Sequence, residues 1–186
     1  MKLGVSIILC THNGKGRLLP TLESIKGLDQ DVHKELLLVD NASSDGTGQW
    51  VQKYLQTEFN FPTKYIFEPT PGLIHARIAG IKNAFFEVIL FCDDDNHLFP
   101  NYLGIGLSYF SSNPKMGVLG GYGIPKLRGT EPEWLVRFQK SFALGAQAEN
   151  SGLINTFPGH VYGAASFFLK KPLLDLINSG YRFYLT

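Results

Sequence analysis

The sequence predicts an α/β protein, a mostly parallel Rossmann-like sheet flanked by helices and formed as one domain over residues 1–186. Three observations carry that expectation. Short apolar runs alternate along the chain with segments whose apolar residues return every three or four positions, the pattern of strands joined by crossover helices. The runs are nearly continuous rather than alternating with polar residues, as in strands covered on both faces. A length of 186 residues suffices for one substantial core rather than two.

The elements follow in order. Residues 3–10 read as the first strand; one lysine before the apolar run faintly resembles a signal peptide, but no small-residue cleavage site follows it. The polar loop 11–16 opens a helix with Leu18, Leu19, Leu22, Ile25 and Leu28 facing the sheet. Residues 36–39 form the second strand, ending at Asp40 and Asn41. SSDGT (43–47) supplies helix-start chemistry, and Trp50, Val51, Tyr54 and Leu55 make a buried face. A third strand at 64–67 leads through Thr70, Pro71 and Gly72 to a helix with Leu73, Ile74, Ile78 and Ile81 inward. The fourth strand is the run Val88, Ile89, Leu90, Phe91, Cys92. A helix with Leu103, Leu107 and Phe110 follows Pro100, then a glycine-rich strand at 117–124. Residues 125–147 have no clear period. A strand at 166–169 and a short helix from Pro172 close the chain, with Asp175 expected to cap that helix.

Composition excludes several classes. A net charge of +1 gives no footprint for nucleic acid. No apolar stretch approaches the ~18 residues of a membrane helix, so a cytoplasmic protein is expected, free or peripheral at the inner face of a membrane. The two cysteines, Cys10 and Cys92, read as buried free thiols. His12, His33, His75, His97 and His160 lack paired zinc spacing.

The chemistry gathers at strand ends. The fourth strand stops at three adjacent carboxylates, Asp93, Asp94 and Asp95, whose mutual repulsion calls for a cation or ample water. Hard cations such as Mg2+ or Mn2+ take oxygen ligands, typically one or two carboxylates completed by substrate phosphates. Thr11 and Asn13 follow the first strand and Asp40 ends the second. An open α/β sheet binds ligands outside the carboxyl ends of its strands, so one crevice collects these groups. Arg77, on the helix before the acidic strand, is a candidate partner for phosphate or carboxylate. Gly14 to Leu19 lacks the third glycine of a dinucleotide fingerprint, and no GxxxxGK[ST] occurs.

SIILCTHN, LLLVDNASSDGT, PGLIHARIAGI and ILFCDDDN, in that order from Val5 to about Pro100, resemble the motifs of family 2 glycosyltransferases of the GT-A fold. The later pieces GGYGI, Pro-Glu-Trp ending at Trp134, FALGAQ and VYGAASFFLKKPLL are similar to that family as well. The resemblance implies an inverting, metal-assisted transfer of a sugar from a nucleotide-diphosphate sugar, a UDP-sugar above all, to a glycan or lipid-linked acceptor in polysaccharide biosynthesis. It implies that Thr11 and Asn13 line the base and ribose pocket, that Asp40 bonds the base, and that Arg77 approaches base or diphosphate. Asp93 and Asp95 become the DxD pair on Mg2+ or Mn2+, Asp93 also towards the ribose, with Asp94 beside them at the nucleotide sugar. Residues 1–100 would be the nucleotide-sugar half and 101–186 an incomplete acceptor-side half. The family's general base has no counterpart here, since no acid follows Asp175, so a truncated chain with its base beyond Thr186 is expected. Two alternatives stand beside this reading: a nucleotidyltransferase making sugar nucleotides, with Lys15 and Arg17 on the triphosphate, and a non-catalytic nucleotide-sugar-binding module.

Overall fold

The computed structural model describes residues 4–127, 129–147, 161–163 and 165–181. Leu3, His160 and the last residues, expected above as strand start, lone histidine and chain end, lie outside them. The described chain forms β1 (Gly4–Thr11), α1 (Leu18–Lys26), β2 (His33–Asn41), α2 (Thr47–Glu58), β3 (Thr63–Glu68), α3 (Leu73–Asn83), β4 (Val88–Asp93), α4 (Tyr102–Ser112), β5 (Val118–Leu119), α5 (Trp134–Phe138), β6 (Ser166–Leu169) and α6 (Lys170–Asn178). A 3-10 turn, Gln139–Phe142, follows α5.

The sheet runs β3-β2-β1-β4-β6-β5. The first four strands in that order are mutually parallel, β6 is antiparallel to β4, and β5 is antiparallel to β6. The predicted mostly parallel α/β sheet is therefore present. Its continuous apolar runs are explained by helices on both faces. Val5, Ile7 and Leu9 of β1 turn towards α1, α2 and α4, where Leu22, Ile25, Val51, Leu55, Leu103 and Leu107 bury them. Ile8 and Cys10 alternate to the other face, under α3 and α6.

Several expectations need correction. Leu19 is exposed, because the buried stripe of α1 passes through Leu18, Thr21, Leu22 and Ile25. On α3, Leu73 is exposed and Ile74 and Ile78 only half-buried, while Ala76, Gly80 and Ile81 form the inner face. Small residues win because α3 lies close on the sheet: a Cβ at Gly80 would sit 2.4 Å from Ile8 Cγ2. Of the glycine-rich stretch 117–124 only Val118–Leu119 pairs as a strand; Gly123 makes an isolated bridge to Gly145. Helix α6 starts at Lys170, two residues before Pro172, and Asp175 lies in its interior, ion-paired to Lys171 at 2.6 Å, rather than capping it.

Candidate active site

Parallel register places the polar strand ends abreast. Thr11 pairs with Asp40 across β1 and β2, and Cys10 with Asp93 across β1 and β4. Above this edge lies a cavity of about 280 Å3 bordered by Thr11, His12, Asn41 and all three acids, with Cys10, Leu73 and Ala76 as its apolar wall. Burial pushes the Cys10 thiol up to about 12, so this wall presents a neutral sulfur and no nucleophile.

The three acids have different surroundings. Burial raises the pKa of Asp93, Arg77 lowers it, and the charges of Asp95 and Asp94 raise it further. Among the described residues its ion-pair partner is Arg77, Nη2 to Oδ1 at 3.5 Å. Asp94 is held hard: Thr11 Oγ1 donates to Oδ2 at 2.6 Å, and Arg17 forks onto both oxygens, Nε at 2.8 Å and Nη2 at 2.7 Å. Asp95 receives a long 3.4 Å contact from the Asn96 amide. Asn96 closes the turn, its Oδ1 accepting from Asp93 N at 3.2 Å and its N–H donating to Asp93 O at 3.1 Å.

The loops after β1 and β2 are tied together. Asn13 adopts a left-handed φ of 49°, which asparagine tolerates. Its N–H donates to Ser43 Oγ at 2.9 Å and its Oδ1 accepts from Ser44 N at 2.8 Å. His12 Nδ1 donates to Asn41 O at 2.7 Å, which leaves Nε2 to accept from the Asn13 amide at 3.1 Å. Asp40, 2% exposed, accepts from Ser43 N at 3.0 Å and from the Tyr65 hydroxyl at 2.8 Å. Arg77 stacks over the Phe91 ring, 5.1 Å from its centroid, and a Cβ at Gly163 would stand 2.9 Å from its Nη2.

Thr11, Asp93, Asp94 and Asp95 thus border one cavity, while Asn13, Asp40 and Arg77 stand in the structure that frames it. Sequence reasoning missed Asn41, whose amide donates to Glu68 O at 3.2 Å and Thr70 O at 2.6 Å while its Oδ1 accepts from Gly72 N at 2.8 Å. It also missed Tyr65 as the partner of Asp40, and Arg17 as the partner of Asp94. Position beside Asp40 at the end of β2 was the available signal for Asn41; nothing in the spacing pointed to the other two.

The donor set suits a hard divalent cation that is completed by its substrate. Among the described residues no group of three His, Cys, Asp or Glu forms a protein cage. Among the described residues Asp93 and Asp95 carry only long contacts to neighbouring side chains, 3.5 and 3.4 Å, so their oxygens are available to such an ion.

The glycosyl transferase family 2 model matches residues 6–183. This chain belongs to that family. Among family 2 relatives, the poly-beta-1,6-N-acetyl-D-glucosamine synthase of Staphylococcus epidermidis is 27% identical over 126 residues, 67% of this chain and 29% of the relative. Among solved structures, S. aureus TarS 1-349 superposes with a TM-score of 0.70 at 22% identity, covering 96% of this chain and 50% of that one. It has also been solved in complex with UDP-GlcNAc (TM-score 0.66). Mannosyltransferase PcManGT from Pyrobaculum calidifontis, in complex with GDP-Man and Mn2+, gives a TM-score of 0.71 at 20% identity over 95% of this chain and 47% of that one. At these identities the likeness establishes the fold, GT-A. The family 2 chain described here spans less than a third of that curated relative and about half of the solved chains. No helix among its described residues is long and apolar enough to cross a membrane.

Proposed function

We propose that this chain is the donor-binding part of a metal-assisted, inverting glycosyltransferase that takes its sugar from a nucleotide-diphosphate sugar, a UDP-sugar, for polysaccharide biosynthesis. The observation that carries the reading is the single cavity in which the ends of β1 and β4 bring Thr11 and the three acids together. Family membership and the names of the relatives support it.

In this reading Asp93 and Asp95 hold Mg2+ or Mn2+. The ion supplies charge neutralisation for the diphosphate and for the further charge that develops as the sugar–phosphate bond breaks. Thr11 and the loop of His12 and Asn13 receive the base and ribose. Asp40 keeps lone pairs beyond those given to Ser43 and Tyr65, and these accept from the base. Arg77, desolvated on one side by Phe91, is available to the diphosphate once a cation neutralises Asp93. Residues 1–100 then form the donor half. The acceptor side lies in 101–186, where Tyr122, Ile124, Leu135, Val136 and Glu131 border a second cavity of about 200 Å3. In this reading Asp93 and Asp95 are committed to the cation and Asp94 to Arg17 and Thr11, so none of the three serves as general base. The family resemblance implies a further carboxylate as general base for a glycan or lipid-linked acceptor.

The direct test is calorimetric titration of UDP, GDP and dTDP with and without Mn2+, on this chain and on Asp95→Asn. Mn2+-dependent binding of UDP that Asp95→Asn abolishes is the expected result. Binding that ignores the metal, or none with any nucleotide, would remove the reading.

A further inference from the structure

Three adjacent carboxylates on one turn would compete for a single cation, and the structure treats the middle one differently from its neighbours. Asp94 is held by a charged fork from Arg17 and by the Thr11 hydroxyl, with contacts of 2.6–2.8 Å on both carboxylate oxygens. Its main-chain carbonyl accepts from Thr21 Oγ1 at 3.1 Å, which fastens the same residue to α1. Among the described residues the flanking acids have no side-chain contact of that quality, only 3.5 Å from Arg77 to Asp93 and 3.4 Å from Asn96 to Asp95.

Arg17 does a second thing with its remaining N–H groups. Nη1 donates to Asn13 O at 3.0 Å and Nη2 to His12 O at 2.9 Å. One guanidinium therefore joins the loop after β1 to the acidic turn after β4. The loop is shaped for this: a Cβ at Gly14 would stand 2.0 Å from Thr11 Oγ1 and 3.2 Å from Asp94 Oδ2. Lysine could not replace this geometry, because an ammonium lacks the planar fork that reaches two carboxylate oxygens and two carbonyls together.

We propose that Arg17 is a positioning residue that withdraws Asp94 from the cation-binding set, so that Asp93 and Asp95 alone present free carboxylates to the donor cavity. The inference rests on the donor-site reading above and deepens it. It also removes Arg17 from the role of triphosphate clamp, since the fork already faces a carboxylate. With the fork gone, Asp94 becomes a third free anion beside the pair, and the turn gains affinity for a bare divalent cation at the expense of geometry shared with the nucleotide loop.

The test is titration of Mn2+ without nucleotide, followed by electron paramagnetic resonance of the free ion, on the full chain and on Arg17→Gln, Asp94→Asn and the double variant. Arg17→Gln should bind Mn2+ at least fivefold more tightly than the unaltered chain, and the double variant should return to the unaltered value. Asp94→Asn alone should change Mn2+ affinity less than twofold, because its carboxylate is already withdrawn. Equal affinity in Arg17→Gln and the unaltered chain, or a large loss in Asp94→Asn, would overturn the proposal. A merely structural role for Arg17 would lower the melting temperature without moving Mn2+ affinity. Titration of UDP with Mn2+ on the unaltered chain judges the donor reading separately: its failure would sink that reading, while the Mn2+ arms still decide what Arg17 does.

Discussion

Replacing Asn41 by alanine removes one side chain and unfastens the entry to α3. The side chain is 6% exposed and makes three hydrogen bonds, two from its amide to Glu68 O and Thr70 O and one from Gly72 N to its Oδ1. Each bond contributes about 1 kcal/mol net, and buried main-chain groups left without partners add to the loss. The expected destabilisation is about 2–4 kcal/mol, or ~5–15 °C in Tm for a chain of this size. Binding should suffer too, because the segment that Asn41 anchors begins the helix carrying Leu73 and Ala76 to the cavity. A tenfold loss of UDP affinity in the presence of Mn2+ would correspond to ~1.4 kcal/mol of lost positioning. Asn41→Asp is the sharper control. It keeps the acceptor for Gly72 N but turns a carboxylate oxygen on two carbonyls, so it should be at least as destabilising at neutral pH. The assays are thermal unfolding by circular dichroism and calorimetric titration of UDP. A Tm within about 2 °C of the unaltered chain, with UDP affinity unchanged, would refute the anchoring argument.

Gly106→Ala places a Cβ 2.4–2.8 Å from three ring atoms of Phe167, so despite the better helix propensity of alanine it should cost about 1–2 kcal/mol, read as a lowered urea midpoint. Tyr65→Phe deletes the hydroxyl that donates to Asp40 Oδ2 at 2.8 Å; with Asp40 buried, a loss of about 1–3 kcal/mol in urea unfolding is expected, and Asp40→Asn combined with it should be less than additive. Asp45 accepts from Thr47 Oγ1 and Thr47 N at the start of α2, and these bonds hold its carboxyl below the usual carboxylate range. A depressed folded-state pKa contributes stability above the unfolded-state value and loses it as pH falls through the folded-state one. Asp45→Ala should therefore lower Tm at pH 6 and leave it nearly unchanged at a pH below the folded-state pKa; a difference that persists undiminished in strong acid would contradict a stabilising role for the Asp45–Thr47 bonds.

What was legible in the sequence follows from what a parallel sheet writes into its strands. Helices on both faces made β1, β2 and β4 continuous apolar runs, and parallel register put Thr11, Asp40 and Asp93 abreast on one edge. The illegible parts depend on distance in space. The inner face of α3 uses Ala76 and Gly80 because the helix lies tight on Ile8, and a reading by hydropathy alone selects Leu73, Ile74 and Ile78 instead. The partners of Asp94 and Asp40 are Arg17 and Tyr65, chosen by how loops and strands meet and not by any spacing along the chain. Nor does the sequence of β6 say that it lies antiparallel between β4 and β5; that follows from where Phe167 finds room, against Tyr102, Phe110 and Gly106.

That placement of β6 bears on how the molecule is made. During synthesis, a nascent chain that has emerged only as far as α4 holds β3, β2, β1 and β4, and β4 is then an open edge with one row of peptide groups unpaired. Phe91 and Ile89 stand on that edge without Ser166 and Phe168 opposite them. Such an edge is a template for a strand from another chain. Charged residues beside an apolar strand oppose such pairing, as the three aspartates at its tip would, and in the folded chain residues 166–169 cover the edge. The early strands and the late one are consequently far apart in sequence but joined in the fold: the strand that ends in the acids is paired by residues 166–169.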